Sequence, residues 1–238
     1  MIDVCTFKWG DRFTVAHVNA LYDAVRHNYT KPFRFSVVTD DFTGIHKNIR
    51  VVPLWNDFAD VVNPQGPHKP SCYRRLKLFS PEARQLIGER IVCLDLDVVV
   101  CDNLEPLWNR PEPVIFYKGQ WGVHLKSKQP YCGAMFMLTA GSRTQVWGSF
   151  NPLVSPAQAF AAGYRGSDQG WFGYCLGDCE PVWSEVDGVY CFRKITGLPD
   201  NARMVFFNGK TKPWDVPHVD WVKRHYTPRH EGPLPERP

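Results

Sequence analysis

The 238 residues suffice for one sizeable α/β domain, and the formal net charge of +4, with Lys and Arg dispersed rather than massed, argues against a nucleic-acid arm. No stretch of about 18 residues stays apolar, which argues against a transmembrane helix. The start, Met1-Ile2-Asp3-Val4-Cys5, lacks the basic-then-apolar pattern of an export signal. A cytoplasmic protein is expected, handling a small anion such as a nucleotide and no nucleic acid; peripheral membrane association stays open.

In chain order, Ile2 to Phe7 reads as a first strand, followed by the loop Lys8-Trp9-Gly10-Asp11 and an amphipathic helix with Val15, Val18, Leu21, Tyr22 and Val25 on one stripe. Phe33 to Thr39 is a second strand, Asp40-Asp41 with Gly44 a turn, and Ile49 to Leu54 a third strand. Strand, helix, strand at the outset predicts a mostly parallel sheet with crossover helices. After the loop at 63–67, Tyr73 to Phe79 reads as helical with Leu76 and Phe79 inward, leaving Arg74, Arg75 and Lys77 for phosphate oxygens or for solvent.

A buried strand, Ile91-Val92-Cys93-Leu94, runs into Asp95-Leu96-Asp97 and then Val98-Val99-Val100. Continued as a strand, this segment would point Asp95 and Asp97 to one face, where two carboxylates can share a cation. The flanking β-branched run favours that reading over an ordinary capping or solvated pair. Further on come a short helix at 104–108, strands at 114–117 and 134–138, helices at 143–150 and 168–175, and strands at 189–193 and 204–207. The eight cysteines are scattered without a Cys-x-x-Cys pair, so most are expected to be reduced core residues.

The segment Phe207-Asn208-Gly209-Lys210-Thr211-Lys212-Pro213-Trp214 begins like a hairpin, but its return half lacks apolar alternation and ends in proline. A ligand loop is the better reading: glycine for close approach, lysines for phosphate, and the Asn208 amide oxygen for a hard cation. Ser167 is expected to cap a helix that holds Asp168 in its first turn. Trp9, after the first strand, is placed either to stack on a base or to fill an ordinary loop. From residue 213 onward prolines accumulate, and this tail is expected to be extended, with Trp214, Trp221 and Tyr226 as anchors.

Taken together, Tyr73-Arg74-Arg75-Leu76-Lys77-Leu78, Asp95-Leu96-Asp97, Asp168-Gln169 and Asn208-Gly209-x-x-Lys212-Pro213-Trp214 resemble, in order, the motifs of GT-A fold glycosyltransferases of family 8, the glycogenin and bacterial galactosyltransferase group. The resemblance spans the first strand to Trp214 and implies a GT-A domain over 1–216 followed by a proline-rich tail over 217–238. It implies that Asp95 and Asp97 bind Mn²⁺ or Mg²⁺, that Asp95, Arg75 and Lys212 contact the donor, and that Thr6, Lys8 and Trp9 border its nucleotide. It further implies that Asp168 and Gln169 flank the reacting sugar carbon. The family's metal-binding histidine is absent, and Phe206, Phe207 and Asn208 stand there; likewise Cys132 stands where an asparagine is common, with Gly133 and Ala134 leaving room for a sugar.

The function so implied is metal-dependent transfer of a hexose from a nucleotide sugar, a UDP-sugar in the first instance, to a hydroxyl acceptor with retention. Two other readings stand beside it. One is a haloacid-dehalogenase-like phosphatase, whose nucleophile strand Val92 to Val99 imitates; the other is a non-catalytic nucleotide-sugar or glycan binding module.

Overall fold

The computed structural model describes residues 1–119 and 128–226. The strands are β1 (Ile2–Lys8), β2 (Phe33–Thr39), β3 (Arg50–Pro53), β4 (Arg90–Leu94), β5 (Val98–Val100), β6 (Val114–Tyr117), β7 (Cys132–Thr139), β8 (Val182–Trp183), β9 (Val189–Cys191) and β10 (Met204–Phe206). The α-helices are α1 (Val15–Asn28), α2 (Ala83–Leu86), α3 (Glu105–Trp108), α4 (Gln145–Gly148), α5 (Ser155–Ala161), α6 (Asp168–Leu176) and α7 (Asp220–His225), with a 3₁₀ helix over Tyr73–Phe79. Seven strands form one sheet in the order β3-β2-β1-β4-β7-β6-β8, and a three-stranded sheet runs β5-β10-β9. By contact the chain divides into two compact units, one of 1–54, 92–110 and 184 onward, the other of 55–91 and 111–183.

In the first unit β1 pairs in parallel with β2, and β2 with β3. Every residue of β1 is buried, as befits a parallel strand covered on both faces. The crossover helix α1 starts after Thr14, whose backbone N–H donates to His17 Nδ1 at 2.9 Å, and ends with Arg26 and His27 complementing its dipole. Of its expected stripe, Val18, Leu21, Tyr22 and Val25 are buried and Val15, at the first position, is half-buried.

The second unit is held by aromatic packing: Phe79, Phe116, Phe136 and Phe172 are each essentially inaccessible, with ring centroids 5.3 to 5.8 Å apart. Burying each such side chain stabilises by about 1.5–3 kcal/mol. There β6 runs antiparallel to β7 and parallel to β8.

Two local expectations are corrected. The strand carrying the acidic pair stops at Leu94; the chain bends at Leu96 and Asp97, and Val98–Val100 belongs to the other sheet. The alternation of an extended chain therefore does not orient Asp95 and Asp97. The expected extended tail is instead helical over Asp220–His225, because Val222 is buried and Trp221 and Tyr226 pack on a cluster with Val99 and Phe207. That burial outweighs the proline-rich composition nearby. Pro228, Pro233, Pro235 and Pro238 lie outside the described residues.

Candidate functional site

In the first unit the bend after β4 and the loop after β10 are brought together by strand pairing. Antiparallel register sets Val98 opposite Phe206, so Asp97 and Phe207 become neighbours, and Phe207 N–H donates to the Asp97 carbonyl at 2.9 Å. Beyond Phe207 the chain turns at Gly209, whose φ of +132° favours glycine. It then enters a 3₁₀ turn at Pro213–Asp215, where Asp215 Oδ2 accepts the Lys212 N–H at 2.8 Å. Trp214 fixes this turn against α1, its ring 4.1 Å from that of His17 and edge-on to Phe13 at 5.9 Å.

The consequence is that the Lys212 ammonium lies directly on Asp97 Oδ2 and also donates to the Phe207 carbonyl at 3.1 Å. Asp97 is 6% and Lys212 7% exposed, so this is a buried ion pair between residues 115 positions apart. Asp95 and Asn208 are half-buried. Of the residues standing where the resemblance implies a metal-binding histidine, Phe206 and Phe207 are buried and offer no side-chain donor, which leaves Asn208. Among the described residues no group of three or more His, Cys, Asp or Glu side chains is set to hold a metal ion.

Around the end of β1, Lys8 is buried with its ammonium 3.8 Å from both Asp40 and Asp41, and Gly10 N–H donates to Asp40 at 3.0 Å. The Asp40-Asp41 turn thus holds the loop that sequence reasoning set beside a nucleotide. Trp9 is half-buried and edge-on to Phe7 at 6.1 Å. Thr6 is inaccessible, and its hydroxyl donates to the Leu94 carbonyl at 2.8 Å, tying β1 to β4.

In the second unit Arg75 and Asp168 form a second buried pair, with Nε at 2.7 Å and Nη2 at 2.6 Å from Asp168 Oδ2. Arg75 Nη1 donates to the Gly133 carbonyl at 2.8 Å. The other carboxylate oxygen of Asp168 accepts the Gln169 N–H at 2.9 Å and the Ser167 hydroxyl at 3.3 Å. Burial pushes the Asp168 carboxyl upward, against the pull of Arg75 and these hydrogen bonds. With both oxygens engaged and 2% exposure, Asp168 is an anchor that holds Arg75 and the start of α6.

Several roles expected from sequence change here. Ser167 makes no capping hydrogen bond; its hydroxyl oxygen accepts the Cys72 N–H at 2.9 Å instead. Gly133 makes room for the ion pair, since a Cβ there would lie 2.7 Å from Arg75 Nη2. Lys77 is committed to Asp57 at 2.7 Å and Glu82 at 3.4 Å, and Arg74 to the Trp55 carbonyl, so neither joins Arg75 as a phosphate ligand. Gln169 is half-buried, its Oε1 accepting the Gly133 N–H at 3.4 Å.

No family model and no curated protein sequence matches the chain. Solved structures do. The galactosyltransferase LgtC, determined in complex with donor and acceptor sugar analogs, matches with a TM-score of 0.64 at 14% identity over 95% of this chain and 97% of that one. An active-site glutamine-to-glutamate mutant of LgtC matches at 0.61 and 14% over the same shares. The bifunctional glycosyltransferase WbbM matches at 0.56 and 14% over 93% of this chain and 48% of that one. GlyE of Streptococcus pneumoniae TIGR4 matches at 0.55 and 11%, over 89% and 56%. The chain thus spans nearly all of LgtC and about half of the other two. The chain has the GT-A fold, which sets aside the phosphatase reading.

Proposed function

We propose that this protein transfers a hexose from a nucleotide sugar, a UDP-sugar first among them, to a hydroxyl acceptor with retention of anomeric configuration. The single observation that carries the reading is the buried meeting of Asp97 with Lys212. An acid from the centre of the chain and a base from the Lys-Pro-Trp loop share one point beside a glycine turn. A buried, preorganised cation suits the charge that gathers on a departing diphosphate. The fold shared with LgtC and WbbM supports the same reaction class.

In this reading Asp97 holds the Lys212 ammonium in place while the Phe207 carbonyl fixes its direction. Lys212 takes up negative charge on the leaving group. Lys8 and Trp9 border the nucleotide, and Thr6 sustains the strand beneath them. In the second unit, Asp168 positions Arg75 and Gln169. Gln169, whose amide is not buried in an ion pair, is assigned to the reacting sugar, and Arg75 to donor binding through its setting. The active-site glutamine of LgtC supports that choice for Gln169.

The donor set fits a hard divalent cation that arrives with the diphosphate. The carboxylates of Asp95 and Asp97 and the Asn208 amide offer only oxygens, and Mg²⁺ sites characteristically combine one or two carboxylates with substrate phosphates. Mn²⁺ or Mg²⁺ held by these residues would supply Lewis-acid stabilisation of the diphosphate. No described helix is long and apolar enough to cross a membrane.

The test is incubation of the full chain with UDP-glucose or UDP-galactose, with and without Mg²⁺ or Mn²⁺, against a set of hydroxyl acceptors. Acceptor-dependent release of UDP is expected. Thermal stabilisation by UDP without any release across the acceptor set would favour the binding-module reading. No stabilisation by any nucleoside diphosphate would overturn both.

A further inference from the structure

Tyr226 stands at the end of α7, in a segment whose composition reads as tail. Its backbone N–H donates to the Val222 carbonyl at 2.7 Å, and its ring packs on the cluster of Val99, Phe207 and Val222 and lies 6.2 Å from Trp214. Val99 is two residues beyond Asp97, Phe207 supplies a carbonyl to Lys212, and Trp214 is two residues beyond Lys212. The ring is therefore built onto the elements that present the Asp97 and Lys212 pair.

The hydroxyl of Tyr226 is shielded from solvent yet makes no hydrogen bond among the described residues. A buried phenol oxygen left without a partner is costly, and native structures seldom keep one without a use. The Lys212 ammonium is already committed to Asp97 and to the Phe207 carbonyl. Burial and the Asp97 carboxylate both push the phenol upward from its ordinary value, so it remains a protonated donor throughout the physiological range.

We infer that the Tyr226 hydroxyl is a binding group of the same site, donating a hydrogen bond to a phosphate oxygen of the nucleoside diphosphate. The inference rests on the donor reading above and deepens it. It assigns the segment after the Lys-Pro-Trp turn to diphosphate recognition, on the ground of the unpartnered hydroxyl of a ring packed on Val99, Phe207 and Trp214, the residues that flank the Asp97 and Lys212 pair. The ligand would supply the acceptor that the described residues do not.

Tyr226→Phe, in the full chain, removes this hydroxyl and little else. Calorimetric titration with UDP in the presence of Mg²⁺, and with uridine as a probe lacking phosphates, reads the effect. Loss of a hydrogen bond to a charged group is expected to weaken UDP by about tenfold while leaving uridine unchanged. The unliganded Tm should stay level or rise, because a buried unpaired polar group has gone. Equal UDP affinity in both proteins would overturn the inference and leave the donor reading standing. So would a matching loss for uridine, or a lower Tm in the free variant, since either would give the hydroxyl a purely structural role. Absence of UDP binding by the wild-type chain would remove the donor reading and this inference with it.

Discussion

The Asp97 carboxylate and the Lys212 ammonium neutralise each other in a buried setting. Removing one partner leaves the other buried and charged, so Asp97→Asn should cost about 3 kcal/mol of stability as well as abolishing donor cleavage. Chemical denaturation together with UDP-release assays checks both; full turnover in that variant would sink the role of Asp97. The Arg75 and Asp168 pair makes a signed pH prediction. Arg75→Met removes the strongest influence opposing burial, so the Asp168 carboxyl, already raised, rises further. A raised carboxyl pKa means that the penalty is absent below the unfolded value near about 4, grows as pH climbs toward the folded pKa, and is full above it. The Tm deficit of Arg75→Met relative to wild type should therefore be larger at neutral pH than in mild acid, and a deficit that grew in acid would refute the assignment.

At the scale of elements, the antiparallel pairing of β5 with β10 does what the i, i+2 alternation of a strand was expected to do. It carries the end of one segment to the end of another, and the bend at Leu96 and Asp97 is where the chain leaves the seven-stranded sheet for the smaller one. β7 contributes by omission: Gly133 leaves the space that the Arg75 guanidinium occupies. Arg75 cannot easily yield, being held by Asp168 and by the Gly133 carbonyl. Gly133→Ala should thus destabilise by about 1–3 kcal/mol through overpacking. Its Tm change should shrink when combined with Arg75→Met, because the clashing group is then gone; strict additivity in that double-mutant cycle would show the space to be unrelated to the pair. Helix α7 owes its existence to Val222 and its neighbours packing on Phe207; Trp221 and Tyr226 are legible as anchors, but nothing local calls for a helix just after Pro213 and Pro217.

For the whole molecule, ligand linkage gives the broadest check. A nucleoside diphosphate that binds only the folded chain should raise Tm, by an amount set by RT ln(1 + [L]/Kd), or about 2.7 kcal/mol at a hundredfold excess over Kd. UDP with a divalent cation should stabilise more than UDP alone, and the cation alone should do little, since Asp95, Asp97 and Asn208 offer carboxylate and amide oxygens but no imidazole stands at Phe206, Phe207 or Asn208. Strong stabilisation by Mn²⁺ without nucleotide would contradict this.

The sequence by itself determined the parallel β1-α1-β2-β3 opening, whose 3.6-residue and strand patterns are strong and local, and the four ordered motifs that pointed to the GT-A fold. It also picked out Arg75 and Asp168 individually, and set Asp97 and Lys212 together at one diphosphate site. Only the tertiary structure decided their direct partners: Lys212 with Asp97, Arg75 with Asp168, Lys77 with Asp57, and the Tyr226 ring on the cluster of Val99 and Phe207. Periodicity reports which face of an element is apolar, but an ion pair between residues 115 positions apart depends on strand register and turn geometry, which no short window of sequence contains.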